Sequence, residues 1–544
     1  MPNVSRSDSS EKMLSPSTRT YFVRSSCDDE ESNEMLDRRD DTSTDETTSM
    51  EKTDKVKTDE TPYYPLFSLK STRLRISLML ATGLFVTVSM RVDLSMAIVC
   101  MVNSTAFASH HSENESILNT TTRLSKCRPL NYDYDSAIQA GYTGHLLWSP
   151  AMQSLLLSAT FYGGLATISF AGVLADRYGP KNILIAVILD YIVVTLLTPL
   201  LSQWSFYVYF VSRIVMGIGE GFFFPCLASM VGKWFAPAEK STVAALYTSG
   251  NQIAASLSSL ISAYLCTLSF GWPSIFYLFG GLGCAYLVVF CLYVTNSPTT
   301  HKCISEDEKA YLAQQIQHTH AKTIGPVPWR AMLTSLPLIA AVLCQYTYNL
   351  QASLLQAFLP SFIKEELMLP LNSNGYYSMI PFVSQLISKN ILGVIADYLK
   401  RKNIIGHTKC AKIFQSFGSF GSAIMLIALA SLPDCEHPYV ALPLLALYGM
   451  FFSGGICGFF TCILCIAPPF SGTTTSIAMV FGMLGNISGP LLLGVVSKIG
   501  FSDKWVTSFM VCSAANIVAG IIFLIFGSAK VQEWAKIQPS KTSP

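Results

Sequence analysis

From residue 76 onward the chain alternates long apolar runs with short polar connections. The runs cover about 76–102, 151–173, 182–201, 205–232, 242–265, 273–294, 333–360, 374–396, 410–432, 438–466, 473–495 and 505–527. Each is long enough to cross a hydrocarbon core of about 30 Å as a helix rising 1.5 Å per residue. Backbone groups in lipid must find partners within their own segment, and the runs are too long for barrel strands. The pattern therefore predicts an all-α membrane protein with twelve transmembrane helices.

The connections divide the chain further. Residues 1–60 hold sixteen Asp and Glu against nine Lys and Arg and almost nothing aliphatic, so 1–70 is expected to be a disordered cytosolic tail. It contains no apolar core of a signal peptide, which leaves the first span as the insertion signal. A six-helix half is expected at 71–294, a cytosolic linker at 295–332, a second half at 333–527 and a cytosolic tail at 528–544. Lys70, Arg73, Arg75 and the run Lys400, Arg401, Lys402 all fall on one side, which the positive-inside bias assigns to the cytosol together with both termini. The long loop 103–150 on the other side carries three acceptor sequons, at Asn103, Asn114 and Asn119, so a glycoprotein is expected.

Composition narrows the function. Of 544 residues only 13% are charged, against about a quarter in soluble proteins, and a net charge of +2 gives no footprint for nucleic acid. The partners expected are the bilayer and a small solute, with a monomeric chain. Most of the fifteen cysteines sit in apolar runs, where a thiol acts as a small hydrophobe. Cys127 and Cys435 are the two placed outside, and whether they pair is open. Cys462-x-x-Cys465 lacks a second ligand pair, so no metal site is read there. No nucleophile or base constellation marks an enzyme, and no catalytic residue or cofactor is expected.

A repeat then becomes visible. The second run ends Gly172-Val-Leu-Ala-Asp176-Arg177-Tyr-Gly179-Pro-Lys181 and the eighth ends Gly393-Val-Ile-Ala-Asp397-Tyr-Leu-Lys400-Arg401, as two pseudo-symmetric six-helix bundles require. This resembles the loop signature of the major facilitator superfamily, which implies a conformational gate at Gly172, Asp176, Arg177, Gly179, Lys181, Asp397 and Arg401. Arg91-Val-Asp-Leu-Ser-Met-Ala, Arg213-Ile-Val-Met-Gly-Ile-Gly-Glu220-Gly, Trp234-Phe-Ala-Pro and Gly271-Trp272-Pro-Ser resemble its anion transporter branch, that of sialin, the type I phosphate carriers and the vesicular glutamate and nucleotide transporters. The resemblance, over about 75–535, implies helices 1, 4, 7 and 10 around a cavity, an organic or inorganic anion as substrate, and proton or sodium coupling or none. Plasma and vesicular or lysosomal membranes both fit. Helix 10 lacks that branch's polar and acidic motif, and Leu157 and Tyr348 replace the His and Arg of glutamate carriers, which counts against glutamate.

Charged side chains inside the apolar runs are the candidate chemistry, since each bears an insertion cost of about 2.5–3.5 kcal/mol. Arg91 and Arg213 are expected at similar depth facing the cavity, their planar forks suited to carboxylate or phosphate. The other reading is structural: Arg91 paired with Asp93, or Arg213 with Glu220. Glu220, seven residues beyond Arg213 on the same helix face, and Asp93 are the candidate coupling residues. Asp190 and Lys389 are buried charges with no motif behind them, and neither is assigned to the substrate. The expected function is a secondary active transporter working by alternating access, the alternative being a transporter-like sensor or scaffold.

Overall fold

The computed structural model describes residues 66–68, 70–103, 144–235, 239–317, 327–402, 404–433, 436–467, 470–499 and 503–535. Among them are twelve long helices: α1 Thr72–Met101, α2 Pro150–Tyr178, α3 Pro180–Trp204, α4 Phe206–Trp234, α5 Lys240–Thr267, α6 Pro273–Tyr293, α7 Leu336–Glu365, α8 Leu371–Arg401, α9 His407–Ser431, α10 438–466, α11 Ser471–Ile499 and α12 Lys504–Phe526. Ten are long and apolar enough to cross a membrane. The other two, α5 and α7, have the length but are interrupted by Asn251 and Gln252, and by Gln345, Asn349 and Gln351. The helix α10 is not continuous: a π-turn at Ile456–Phe460 separates Ala441–Phe452 from Thr461–Ile466.

Helix n corresponds to helix n+6. In the first half α2 packs on α4, α1 on α5 and α3 on α6; in the second α8 packs on α10, α7 on α11 and α9 on α12. Two glycine contacts recur with the repeat. At Gly217 of α4, against the Thr160 carbonyl of α2, there is no room for a Cβ, and at Gly449 of α10 the same holds against the Pro381 carbonyl of α8. Such backbone approach is how helices pack without a hydrophobic drive between them. The halves meet along α2–α11, its symmetry mate α8–α5, and α1–α7.

The face where α1 begins and α12 ends is termed inner. Contacts between the halves concentrate toward the outer face. There Lys364 Nζ of α7 donates to the Val99 carbonyl of α1 at 3.1 Å, and a Cβ on Gly494 of α11 would lie 3.0 Å from the Ser154 Cβ of α2. Toward the inner face, among the described residues, contacts between the halves include those of Ile168 of α2 and Thr248 of α5, each about 12–15 Å short of its helix end, while Gly172 and Gly393 have no neighbour where a Cβ would stand. On these contacts the outer side of the seam between the halves is the closed one.

A short linker helix, Glu306–Gln317, is fastened to the first half. Glu308 accepts from the Thr72 and Arg73 amides at 3.1 Å and from Ser71 Oγ at 2.9 Å, capping α1. The fully buried Arg73 bridges Glu308 at 2.9 Å and Glu239 at 2.5 Å. Next to it His301 is held in one neutral tautomer, because Nδ1 accepts from the Cys303 amide while Nε2 faces the Tyr293 carbonyl, both at 3.1 Å. Its ring sits edge-on to Trp234 and Tyr293.

One expectation is corrected. Only Cys127 and Cys435 were placed on the outer side, yet Cys100 and Cys266 form a disulfide joining the outer ends of α1 and α5. Both lie one residue inside their helix ends, where the apolar run gives way to the outer surface. Cys127 and Cys435 lie outside the described residues.

Candidate substrate and coupling site

The buried charges of the first half converge from three helices. From α1 comes Arg91, from α4 Arg213 and Glu220, and from α3 Tyr191. Arg91 Nη1 forms an ion pair with Glu220 Oε1, and the Tyr191 hydroxyl donates to the other carboxylate oxygen. The Arg91 guanidinium also lies 5.6 Å from the centre of the Phe161 ring on α2. Arg213 Nη2 donates to the Arg91 carbonyl at 3.0 Å and Nη1 approaches Met216 Sδ at 3.5 Å.

This pairing differs from both structural alternatives read from the sequence, neither Arg91 with Asp93 nor Arg213 with Glu220. Asp93 points elsewhere: only 1% exposed, it has no hydrogen-bond partner on either carboxylate oxygen among the described residues. Arg213 is the positive charge that acts on it. Nor do the arginines share one level. Counting from the outer helix ends, Arg213 and Asp93 lie about 10–12 Å in, whereas Arg91 lies about 15 Å and Glu220 about 21 Å in. The site has two tiers, an outer one of Asp93, Arg213 and the buried Tyr209, and an inner one of Arg91, Glu220 and Tyr191.

The second half contributes no charge to the cavity helices. Between Leu336 and Ile363, and from Pro438 to Ile466, there is no Asp, Glu, Lys or Arg. What it offers is neutral: Tyr348 stacked on Phe452 with centroids 4.0 Å apart, Gln351 accepting from Asn516 Nδ2 at 2.7 Å, and Gln415. The Gln415 amide oxygen takes the Phe459 N–H at 3.0 Å, a donor within the π-turn of α10.

The residues expected to form a gate occupy the inner ends of α2 and α8 and the start of α3. Gly179 turns the chain at φ +85°, Lys181 Nζ donates to the Cys291 carbonyl of α6 at 3.0 Å, and Arg177 is exposed beside Tyr178. Asp397 lies 3.8 Å from Lys400. The Asp176 and Arg401 side chains fall outside the described set. Of the sequons, Asn103 follows α1, its amide bonded to the Leu146 carbonyl at 2.9 Å; Asn114 and Asn119 lie outside the described residues. Asp190 borders the backbone at Gly219. Tyr191 is the partner of Glu220 that sequence reading missed, although a tyrosine following an aspartate in mid-span was a visible signal.

A sequence profile of the Major Facilitator Superfamily matches residues 85–490. The chain belongs to that superfamily. Relatives place it in the branch that includes sialin. It is 34% identical over 492 residues to the uncharacterized transporter slc-17.3 of Caenorhabditis elegans, covering 87% of this chain and 91% of the relative. Human sialin is 29% identical, covering 86% and 91%, and human sodium-dependent phosphate transport protein 1 is 27% identical, covering 82% and 91%. Among solved structures, a D-xylose-proton symporter superposes with a TM-score of 0.61 at 14% identity, covering 85% of this chain and all of that one, a likeness of fold. The protein is a multi-pass membrane transporter, not an enzyme.

Proposed function

We propose that the chain is a secondary active transporter of an organic anion, coupled to protons through Glu220, with the inner face and both termini in the cytosol. The observation that carries this reading is the Arg91–Glu220–Tyr191 cluster, which joins three helices inside the first half. In the arrangement seen, Glu220 neutralises Arg91. A proton on Glu220 removes that charge and frees the guanidinium fork for a carboxylate or phosphate of the substrate. Anion and proton then depend on one another, and the rocking of the halves carries both.

The uncharged lengths of α7 and α10 favour an organic anion over a bare inorganic one. Tyr348, Phe452 and the side-chain amides offer hydrogen bonds and ring faces to an uncharged body, whereas a small inorganic anion has none to present. The relatives' phosphate and sialin names are compatible with either.

Uptake into proteoliposomes under an imposed pH gradient, with inorganic phosphate, glucuronate and benzoate as probes, tests the proposal. Gradient-driven accumulation of an organic probe is expected, and Arg91→Ala should abolish it while Arg91→Lys, which keeps charge but loses the fork, weakens it. Binding without counterflow would instead mean a sensor. Glycosidase-sensitive mass on the 103–150 loop is the expected mark of the proposed orientation.

A further inference from the structure

Every buried arginine of the first half has a carboxylate to answer it: Arg91 has Glu220, and Arg213 acts on Asp93. Lys389 of α8 has none among the described residues. It is 8% exposed, and its ammonium donates to the Thr248 hydroxyl of α5 at 2.8 Å, across the junction of the two halves. No Asp or Glu occurs anywhere in α5 or in α10, and none in α7 before its final residue, Glu365. On α8 itself Asp397 is the sole acid, eight residues further on, or about 12 Å. A buried cation held only by a hydroxyl bears its desolvation cost without an ionic return.

Its surroundings are polar and face inward. One turn toward the outer face, Gln385 reaches from α8 to the Tyr348 hydroxyl at 3.4 Å, which turns this side of α8 toward the cavity helix α7. One turn beyond Thr248 on α5 lies Gln252, 5% exposed, with its amide oxygen unpartnered among the described residues. Lys389 stands about 18 Å from the inner end of α8, whereas Arg91 stands about 28 Å from the inner end of α1. It therefore lies between the arginine tiers and the inner face.

We propose that Lys389 is an anion-binding residue, a station for the carboxylate or phosphate group of the substrate on its path between the Arg91 site and the inner face. This rests on the proposed anion transport. Among the described residues the ammonium forms no ion pair, which leaves its charge for an anion, and the lysine stem can turn from Thr248 toward it.

The test uses Lys389→Met, close in volume and uncharged, and Lys389→Arg, in the full-length protein. The readouts are the KM for proteoliposome uptake of the best organic probe among glucuronate and benzoate, and the melting temperature of the purified protein with and without that probe. Lys389→Met should raise KM about 10- to 100-fold, the range of a lost charge-assisted hydrogen bond. It should also cancel the stabilisation by the probe, yet leave the melting temperature without probe equal to or above wild type, because an unpaired buried charge is gone. Lys389→Arg should keep KM within a few-fold of wild type. An unchanged KM for Lys389→Met, with or without a fall in melting temperature, overturns the assignment while transport stands. Wild-type protein that neither transports nor is stabilised by any probe overturns the transport reading and this one together.

Discussion

At the scale of single residues, the decisive feature is that Glu220 holds two partners at once, Arg91 and the Tyr191 hydroxyl. If it carries the proton, Glu220→Gln imitates the loaded form permanently. The expected result is exchange of labelled for unlabelled anion at close to the wild-type rate, with accumulation no longer driven by a pH gradient. Were Glu220 only an anchor, removing it would strand Arg91 at a cost of about 3–5 kcal/mol, and folded yield and exchange would fall together. That Arg91, Arg213, Asp93 and Glu220 are charges set within apolar runs was legible in the sequence, because such a charge announces itself. Their pairing was not. Helical spacing put Glu220 on the face of Arg213, and spacing along one helix says nothing about which side chain of a neighbouring helix comes closest. The reach of Arg91 from α1 to Glu220 of α4 decided the matter in space, beyond what a one-dimensional pattern encodes.

At the scale of elements, the linker region has its own chemistry outside the membrane-spanning segments. His301 is buried between Trp234 and Tyr293, and burial lowers its pKa from the ordinary value of 6.5 despite the Tyr293 carbonyl and Glu308, which pull the other way. The folded state thus prefers the neutral ring more than the unfolded chain does. Stability from this site is complete above about pH 6.5 and declines as pH falls below it, until the folded form also takes up the proton. Thermal melts from pH 8 to pH 5 should show a drop that shrinks in His301→Gln. An equal drop in both would place the acid sensitivity elsewhere. Of these elements, the twelve helices were readable from apolar length alone, with ends shifted by a few residues. The break in α10 was not, since Ser453-Gly454-Gly455 inside an apolar run reads equally well as close packing. The disulfide between Cys100 and Cys266 was hidden for a related reason: residues 166 apart in sequence become neighbours only when α5 packs on α1.

For the whole molecule, the repeat at Gly172–Asp176 and Gly393–Asp397 made two related halves legible, but not which face is closed, because both states of a rocking pair use one sequence. The outer closure gives a direct handle. With Ser154 and Gly494 so close, Ser154→Cys/Gly494→Cys should cross-link the halves after a relaxation of under an ångström. The oxidised variant should stop transporting, and a reductant should restore it; transport by the cross-linked protein would mean that this seam never opens. The paired Arg91 and Glu220 also set the electrical character of the cycle. Empty, the pair sums to zero; with a proton on Glu220 and a monovalent anion on Arg91 it again sums to zero. Both return strokes then move the same charge, so a diffusion potential set with potassium and an ionophore should leave monovalent uptake unchanged. A divalent anion would carry one extra negative charge, coupled at about 2.3 kcal/mol per 100 mV to the membrane field, and its accumulation should respond to voltage. The carrier would be a voltmeter for one valence and blind to the other.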